Sequence, residues 1–253
     1  MTSLKEIKTD KLVTNIYEGR EELGKAAAED MIEIIKNLMK QKEKLRIVFA
    51  AAPSQNEFLN EMLSSDIDWN KIEAFHMDEY IGLPKNAPQT FGHYLRENIF
   101  DKVDFSNINY IDPSNNPEEE CERYAALLKE APIDIVFMGI GENGHIAFND
   151  PPVADFEDEK FVKVVELDEP CRVQQVNDGC FPKFEDVPKT AFTLTVPALM
   201  SADYLSVCVP GITKAVAVKN TLKGEISTKC PATILRTHKQ AKLYIDTDSA
   251  SLL

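Results

Sequence analysis

Short apolar runs alternate with amphipathic segments along almost the whole chain. The continuous apolar runs are typical of strands buried on both faces, and the segments between them have helical periodicity and strong helix formers. The pattern predicts strands at residues 12–18, 45–51, 72–77, 108–112, 133–141, 161–167, 191–196, 204–211 and 241–246. It predicts helices at residues 20–43, 55–63, 90–100, 117–130 and 212–225.

This alternation predicts an α/β fold with a doubly wound, mostly parallel, Rossmann-like sheet and helices on both faces. No linker rich in Pro, Gly or Ser divides the chain, so we expect one domain over residues 1–253. The acidic, proline-containing stretch 149–160 is predicted to be a surface excursion. In such sheets the active site lies beyond the carboxyl ends of the strands. The loops after Ala51, Met77, Ile140 and Val209 are therefore the places to search for chemistry.

The net charge of the chain argues against nucleic acid and anionic membranes as partners. Lys and Arg number 28 and Asp and Glu number 42, which gives a net charge of −14. Such a chain is not expected to bind nucleic acid or an anionic membrane, although a small anion needs only a few local cations. The five cysteines form no C-x-x-C pair, and neither a signal segment nor a membrane-length apolar run is evident. We therefore expect a cytoplasmic protein in a reducing compartment, with no metal site.

Two loops have features that suit an anionic ligand. The loop AAPSQNEF offers Ser54 and Gln55 beside the start of a helix, where backbone N–H groups cradle phosphate. The alternative is an ordinary helix start with Ser54 as its cap. Lys214 lies in the first turn of the helix 212–225, a position that favours a cation only when an anion is also present. The alternative is an exposed surface lysine.

Adjacent carboxylates follow the strand 72–77. Neighbouring side chains in extended backbone point in opposite directions, so Asp78 and Glu79 are expected to face different surroundings. One of them, partly desolvated at a strand end, suits a proton-transfer base, while the other braces the loop. The alternative is a solvated acidic turn.

A glycine-rich loop, GIGENGHIAFNDPP, follows the strand 133–141. Its glycines match the spacing of a dinucleotide fingerprint, but the residues after them form a poor helix, so no NAD is expected. His145 follows the glycines directly and suits acid–base work near neutral pH, although a structural histidine is an equal alternative.

These segments together resemble the glucosamine-6-phosphate deaminase (isomerase) family, which shares its fold with 6-phosphogluconolactonases. The resemblance rests on FHMDEYIGL, FGHYLRENIF, DIVFMGIGENGHIAFNDP, VPKTAFTLTV and PGITKAVAVKNTLKG, in collinear order. It implies conversion of open-chain glucosamine 6-phosphate to fructose 6-phosphate and ammonia, without metal or redox cofactor. It further implies that Asp78 moves a proton between C2 and C1, that His145 assists ring opening, and that Lys214 and the loop around Ser54 hold the phosphate.

The chain departs from that family's pattern around the histidine and at the phosphate loop. Asn143 stands where the family usually has Asp, and Asp150 stands where it often has Glu. Because Asn143 contributes no charge, we expect a less basic His145, and we expect Asn143→Asp to raise the pKa of His145. Arg172 is the candidate to replace an arginine that grips phosphate in better-known members.

Three functions remain open at this stage. The first is an amino-sugar phosphate isomerase and deaminase, and the second is a 6-phosphogluconolactonase that uses His145 as the base for water. The third is a non-catalytic sugar-phosphate sensor. The sequence leaves open the gluco or galacto configuration of the sugar and the oligomeric state, a homo-oligomer included.

Overall fold

A computed structural model describes residues 2–84 and 87–253. Its strands, in chain order, are β1 (Lys5–Thr9), β2 (Leu12–Tyr17), β3 (Leu45–Phe49), β4 (Ile72–His76), β5 (Asp78–Tyr80), β6 (Asn107–Asn109), β7 (Ile135–Met138), β8 (Val162–Glu166), β9 (Thr190–Leu194), β10 (Tyr204–Val209) and β11 (Ala241–Asp246). Its α-helices are α1 (Arg20–Leu38), α2 (Asn56–Leu63), α3 (Phe91–Leu95), α4 (Pro117–Lys129), α5 (Glu169–Asn177), α6 (Val196–Met200) and α7 (Ala215–Lys223).

The described residues form a large sheet of order β1-β2-β11-β10-β7-β3-β4-β6 and a small sheet of order β5-β9-β8. Every neighbouring pair of the large sheet is parallel except β1 and β2. Consecutive residues of the central strand β3 belong to different apolar clusters, Phe49 to one and Val48 to the other. Both faces of the sheet are therefore covered, which confirms the predicted doubly wound α/β class.

The small sheet differs from the expected continuation of the parallel alternation. Strands β8 and β9 pair antiparallel with each other, and β9 pairs antiparallel with β5. The prediction that residues 161–167 and 191–196 extend the main alternation is wrong. The physical reason is visible in VKVVE of β8, where charged residues interrupt the apolar ones and leave one side half solvated, as in antiparallel sheets.

Several element boundaries also differ from the predictions. Helix α1 ends at Leu38 rather than residue 43, because the polar stretch after Met39 offers nothing to bury. Helix α3 continues as a π-helix over Arg96–Phe100, and a 3-10 turn over Ile212–Lys214 precedes α7. Strand β1 was not predicted, because KEIKT is a charged edge strand whose exposure suppresses the apolar pattern.

The stretch 149–160 is only partly the predicted surface excursion. Its first two residues, Asn149 and Asp150, are completely buried, and the exposed part follows them. Asn149 donates from Nδ2 to Leu194 O of β9 at 2.8 Å, which ties this segment to the small sheet. None of the helices within residues 2–84 and 87–253 has the length and apolarity that a membrane crossing requires.

Candidate active site

A cavity of about 480 Å³ opens at the carboxyl ends of the large sheet's strands. The loops after β3, β4, β7 and β10 line it, at the place that the sequence predicted for the active site. Four of the predicted site residues line it together: Ser54, Asp78, His145 and Lys214. Residues from distant parts of the chain are thus brought to one concave surface, the usual form of a small-molecule site.

Asp78 lies where the chain leaves the large sheet and enters the small one. Only Met77 separates the end of β4 from the start of β5. The side chain of Asp78 is buried, and the apolar Phe91 and Phe148 also line the cavity. Burial, and to a smaller degree the charge of Glu79, raises its pKa well above the usual 3.8. A carboxylate so desolvated is a strong proton acceptor once it is ionised.

Glu79 points away from the cavity and braces the structure behind it. Its carboxylate accepts hydrogen bonds from the backbone N–H groups of Tyr80, Phe91 and Gly92 at 2.9, 3.0 and 2.9 Å. Burial raises its pKa to about 7, although these N–H groups act in the opposite direction. The two neighbouring acids therefore face different surroundings, and the alternative of a solvated acidic turn does not describe them.

His145 is paired with Asp150. The imidazole Nδ1 lies 2.9 Å from Asp150 Oδ1, and Asn143 Nδ2 donates to the same oxygen at 2.9 Å. Asn143 Oδ1 in turn accepts the backbone N–H of His145 at 3.0 Å. Burial works to raise the pKa of Asp150, but His145, Asn143 and the Asp168 N–H hold it below its usual value.

The pairing corrects the expectation about Asn143. The imidazole has a carboxylate partner, because Asp150 reaches Nδ1 although its side chain is one methylene shorter than the Glu of the family's pattern. An Asp at position 143 would set a second carboxylate against Asp150 and remove the Asn143 Nδ2 donor. The predicted rise in the pKa of His145 in Asn143→Asp stays a prediction, and the variant also loses the donor that holds Asp150.

The glycine loop is shaped around this imidazole. A Cβ on Gly141 would lie 2.2 Å from Cε1 and Nε2 of His145, far inside van der Waals contact. Gly144 has φ +86°, a conformation that favours glycine.

We expect Gly141→Ala to displace the His145 ring and to lower turnover by about 10- to 100-fold. Steady-state kinetics measures this loss. Unchanged binding of inorganic phosphate and an unchanged melting temperature would show that the damage is local. Full activity would contradict the close contact.

The loop after β3 supplies Ser54 but not Gln55. Its helical turn begins at Pro53 with Ala52 as the N-cap, so Ser54 is not the cap. Gln55 is buried, and its Nε2 donates to Met138 O at 3.3 Å and Cys208 O at 3.4 Å. Gln55 therefore ties this loop to the ends of β7 and β10, and its place does not support the predicted contact with phosphate.

Of the two predicted phosphate-binding cations, Lys214 lines the cavity and Arg172 does not. Lys214 is only 7% exposed, and no ion pair within the described ranges involves it, so the reading as an exposed surface lysine fails. Arg172 does not line the cavity. Its Nη2 donates to Phe184 O at 3.0 Å and Val187 O at 2.8 Å, and its guanidinium stacks on the Phe184 ring. This packing does not support the predicted phosphate contact of Arg172.

Sequence reasoning missed an arginine at the cavity. Arg20 lines it, at the start of α1, and its Nε lies 2.7 Å from Glu57 Oε1. Its Nη2 also donates to Pro53 O at 2.9 Å, so Arg20 holds the loop after β3 in place. The GREE start of α1 contained no signal that distinguished Arg20 from a surface arginine.

Helix α5 also contributes residues that the sequence reasoning missed. Gln174, Gln175 and Asp178 line the cavity. Gln174 accepts the Glu142 N–H at 2.7 Å and donates from Nε2 to Asp178 Oδ2 at 3.1 Å, so it links the glycine loop to the end of α5. The polar residues at 174, 175 and 178 share one helix face, which was the available signal.

One side-chain cluster within residues 2–84 and 87–253 has the composition of a metal site: His145, Asp150 and Cys171. The distance between His145 Nδ1 and Asp150 Oδ1 is a hydrogen-bond distance. Burial raises the pKa of the Cys171 thiol, which disfavours the thiolate that a metal binds. The prediction of a site without metal or cofactor stays a prediction.

The profile of a family described as glucosamine-6-phosphate isomerases/6-phosphogluconolactonase matches residues 18–245. The chain belongs to this family. Within it, a glucosamine-6-phosphate deaminase of Listeria monocytogenes serotype 4a (strain HCC23) is 33% identical over 229 residues, which are 90% of this chain and 96% of that protein. The resemblance inferred from the motifs is thus confirmed.

Two solved structures agree with the fold. A monomeric glucosamine-6-phosphate deaminase has a TM-score of 0.86 and 29% identity, over 96% of this chain and 100% of that one. A 6-phosphogluconolactonase from Thermotoga maritima has a TM-score of 0.77 and 20% identity, over 93% of this chain and 100% of that one. The second likeness concerns the fold alone.

Proposed function

We propose that the protein is an amino-sugar phosphate deaminase. It converts glucosamine 6-phosphate, or a close epimer, to a ketohexose 6-phosphate and ammonia. The observation that carries this proposal is the convergence of Asp78, His145 and Lys214 on one cavity, in a member of this family. Each of the three side chains suits one task of the reaction.

His145 serves ring opening. Because Nδ1 lies against Asp150, Nε2 is the nitrogen available to a ligand. A protonated imidazole there gives its proton to the ring oxygen as the C1–O5 bond breaks, and the C1 hydroxyl gives its proton to solvent water as the aldehyde forms. In this scheme Asn143 and Asp150 position the imidazole ring of His145 and do not contact the sugar.

Asp78 serves the isomerisation. Its carboxylate takes the C2 proton of the open-chain aldehyde while a proton passes from the C2 ammonium group to O1, and the carboxyl then returns its proton to C1. A hydroxyl is left at C1 and an iminium at C2. Water adds to that carbon, and the C–N bond breaks to release ammonia and the ketose phosphate. The atoms balance without a metal or a redox cofactor, and none is proposed.

Lys214 serves the phosphate, together with the loop around Ser54. We expect Lys214→Met to raise the KM for glucosamine 6-phosphate by about 10- to 100-fold, because a charge-assisted contact is lost. Turnover at saturation should fall much less. Lys219→Met, at an exposed position of the helix α7 that follows Lys214, is the matched control and should change neither constant. An unaltered KM in the Lys214 variant would refute the phosphate contact.

The decisive experiment measures ammonia and ketohexose phosphate from glucosamine 6-phosphate and galactosamine 6-phosphate. Release of both products in equal amounts supports the proposal. Hydrolysis of 6-phosphogluconolactone without ammonia release would favour the lactonase, and saturable binding without any turnover would favour the sensor. Cytoplasmic location, the absence of nucleic-acid and membrane partners, a single domain and a homo-oligomer stay predictions.

A further inference from the structure

Two neighbouring glutamines of α5 line the cavity, and their side-chain amides are used differently. The amide of Gln174 is engaged at both ends, because Oε1 accepts the Glu142 N–H at 2.7 Å and Nε2 donates to Asp178 Oδ2 at 3.1 Å. Gln175 is only 7% exposed, and its Oε1 accepts the hydroxyl proton of Tyr80 at 2.6 Å. Its Nε2 donates to none of the residues that the structure describes, yet it is not among their fully buried polar atoms without a partner. The cavity therefore reaches an N–H donor that the protein leaves free.

Tyr80 determines which way the amide of Gln175 points. The Tyr80 side chain is completely buried, and within the described part of the chain its hydroxyl has Gln175 as its one hydrogen-bond partner. With the amide reversed, that hydroxyl would accept from Nε2 and its own buried proton would have no acceptor, which is costly. Burial also raises the pKa of Tyr80 well above its usual range, so the hydroxyl keeps the proton that it donates. The oxygen of Gln175 therefore faces Tyr80, and the free N–H donor faces the cavity.

An aromatic cluster holds the Tyr80 ring in turn. The centroid of the ring lies 4.7 Å from that of Phe91, 5.4 Å from that of Phe148 and 5.4 Å from that of Phe181. Phe91 and Phe148 also line the cavity, so Tyr80 packs directly behind its apolar wall. Such a support gives the amide of Gln175 one orientation before a ligand arrives, which lowers the entropy cost of binding.

A neutral oxygen suits this donor better than a phosphate does. The amide of Gln175 has no charge, and Asp178, three residues further on the same helix face, carries a carboxylate. A phosphate beside Gln175 would lose hydration without gaining a counter-charge, and the carboxylate would be one helical turn away. A sugar hydroxyl is uncharged, and its oxygen accepts a hydrogen bond from a single N–H donor.

We propose that Gln175 is a specificity-determining residue of the site and that Tyr80 is its positioning residue. Nε2 of Gln175 donates a hydrogen bond to one of the hydroxyl oxygens on C3, C4 and C5 of the open-chain sugar phosphate, which the proposed reaction leaves in place. Tyr80 acts through Gln175 and does not contact the ligand. The inference deepens the proposed function, because it rests on that function for the identity of the ligand.

Calorimetric titration with glucitol 6-phosphate and its 3-, 4- and 5-deoxy derivatives tests the contact. These ligands have no carbonyl group, so they are not turned over. We expect Gln175→Met to weaken the binding of glucitol 6-phosphate by about 3- to 10-fold, because one hydrogen bond is lost. One deoxy derivative should bind the wild type and the variant equally well, since it lacks the oxygen that Gln175 contacts. Inorganic phosphate should also bind both proteins equally.

Tyr80→Phe separates positioning from packing, because it keeps the ring and removes the hydroxyl that orients the amide of Gln175. We expect the wild type's preference for glucitol 6-phosphate over that derivative to shrink by about 2- to 5-fold. A merely structural loss would weaken both ligands equally and leave the preference unchanged. Tyr244→Phe is the matched control, since it removes another buried hydroxyl, which donates to Asp30 Oδ2 at 2.7 Å outside the cavity lining. It should not change the preference.

The outcomes separate this inference from the proposed function. Equal weakening of all the glucitol ligands by Gln175→Met, or no weakening of any, overturns the hydroxyl contact, and so does a matching loss for inorganic phosphate. An unchanged preference in a folded Tyr80→Phe protein overturns the positioning role of Tyr80. Ammonia release by the wild type alongside such results leaves the deaminase proposal standing. A selective loss without ammonia release supports the role of Gln175 and overturns the deaminase.

Discussion

Asp78→Asn is expected to reduce deaminase turnover by about 10²- to 10⁴-fold while leaving the fold and the binding of glucitol 6-phosphate intact. Asparagine has the same shape but cannot accept the C2 proton. Measurement of kcat and of the calorimetric Kd on the same preparation separates catalysis from binding. A variant that keeps more than about a third of wild-type turnover would remove Asp78 from the proton transfer.

The same substitution should stabilise the protein at higher pH. The folded-state pKa of Asp78 is raised above its usual 3.8, so from pH 4 upward the folded chain binds more protons than the unfolded chain. Wild-type stability therefore declines as pH rises through that window, and the asparagine variant escapes the decline. We expect equal melting temperatures near pH 4 and a higher one for Asp78→Asn at pH 8. A lower melting temperature at pH 8 would argue that the carboxylate has a structural partner.

His145→Gln is expected to slow the reaction of glucosamine 6-phosphate by about 10²-fold, because the ring oxygen loses its proton donor. The 5-deoxy analogue lacks the oxygen that closes the pyranose, so its turnover should be nearly insensitive to the change. Equal losses on both substrates would mean that His145 acts after ring opening.

Asp150→Asn provides the companion measurement. It keeps the size of the side chain but removes the negative charge that faces Nδ1 of His145. We expect it to move the pH–rate limb of His145 to lower pH, because the imidazolium loses its counter-charge. A merely structural Asp150 would alter the rate without moving that limb.

The sequence predicted an element of the fold where local burial determines its pattern, and failed where the pattern depends on distant parts of the chain. Strands β3 and β7 were predictable because both of their faces are buried, so an apolar run is enough to recognise them. Helix α5 was missed because its buried face carries polar residues that line the cavity. The sequence therefore lacks the alternation of an apolar buried face and a polar exposed face.

The candidate site shows the same dependence. Asp78, His145 and Lys214 were predictable because strand ends and glycine turns mark their positions. The packing of Arg172 on Phe184 and the inward turn of Gln55 depend on neighbours that are distant in the chain, and no local spacing records them. Asp150 was named as a departure, but its pairing with Nδ1 became visible only in three dimensions.

The division of the site between two sheets has a consequence for how substrate preference can change during evolution. Asp78 pairs with Thr193 of β9, and Thr193 Oγ1 accepts the Phe148 N–H at 3.1 Å, so Asp78 and the histidine loop are both attached to the small sheet. Lys214 follows β10 of the large sheet. We expect substitutions beneath β8 and β9 to displace Asp78 and the histidine loop together while Lys214 stays in place. Such a displacement would change the distance between the proposed acid–base groups and the proposed phosphate-binding lysine without a substitution in the cavity lining.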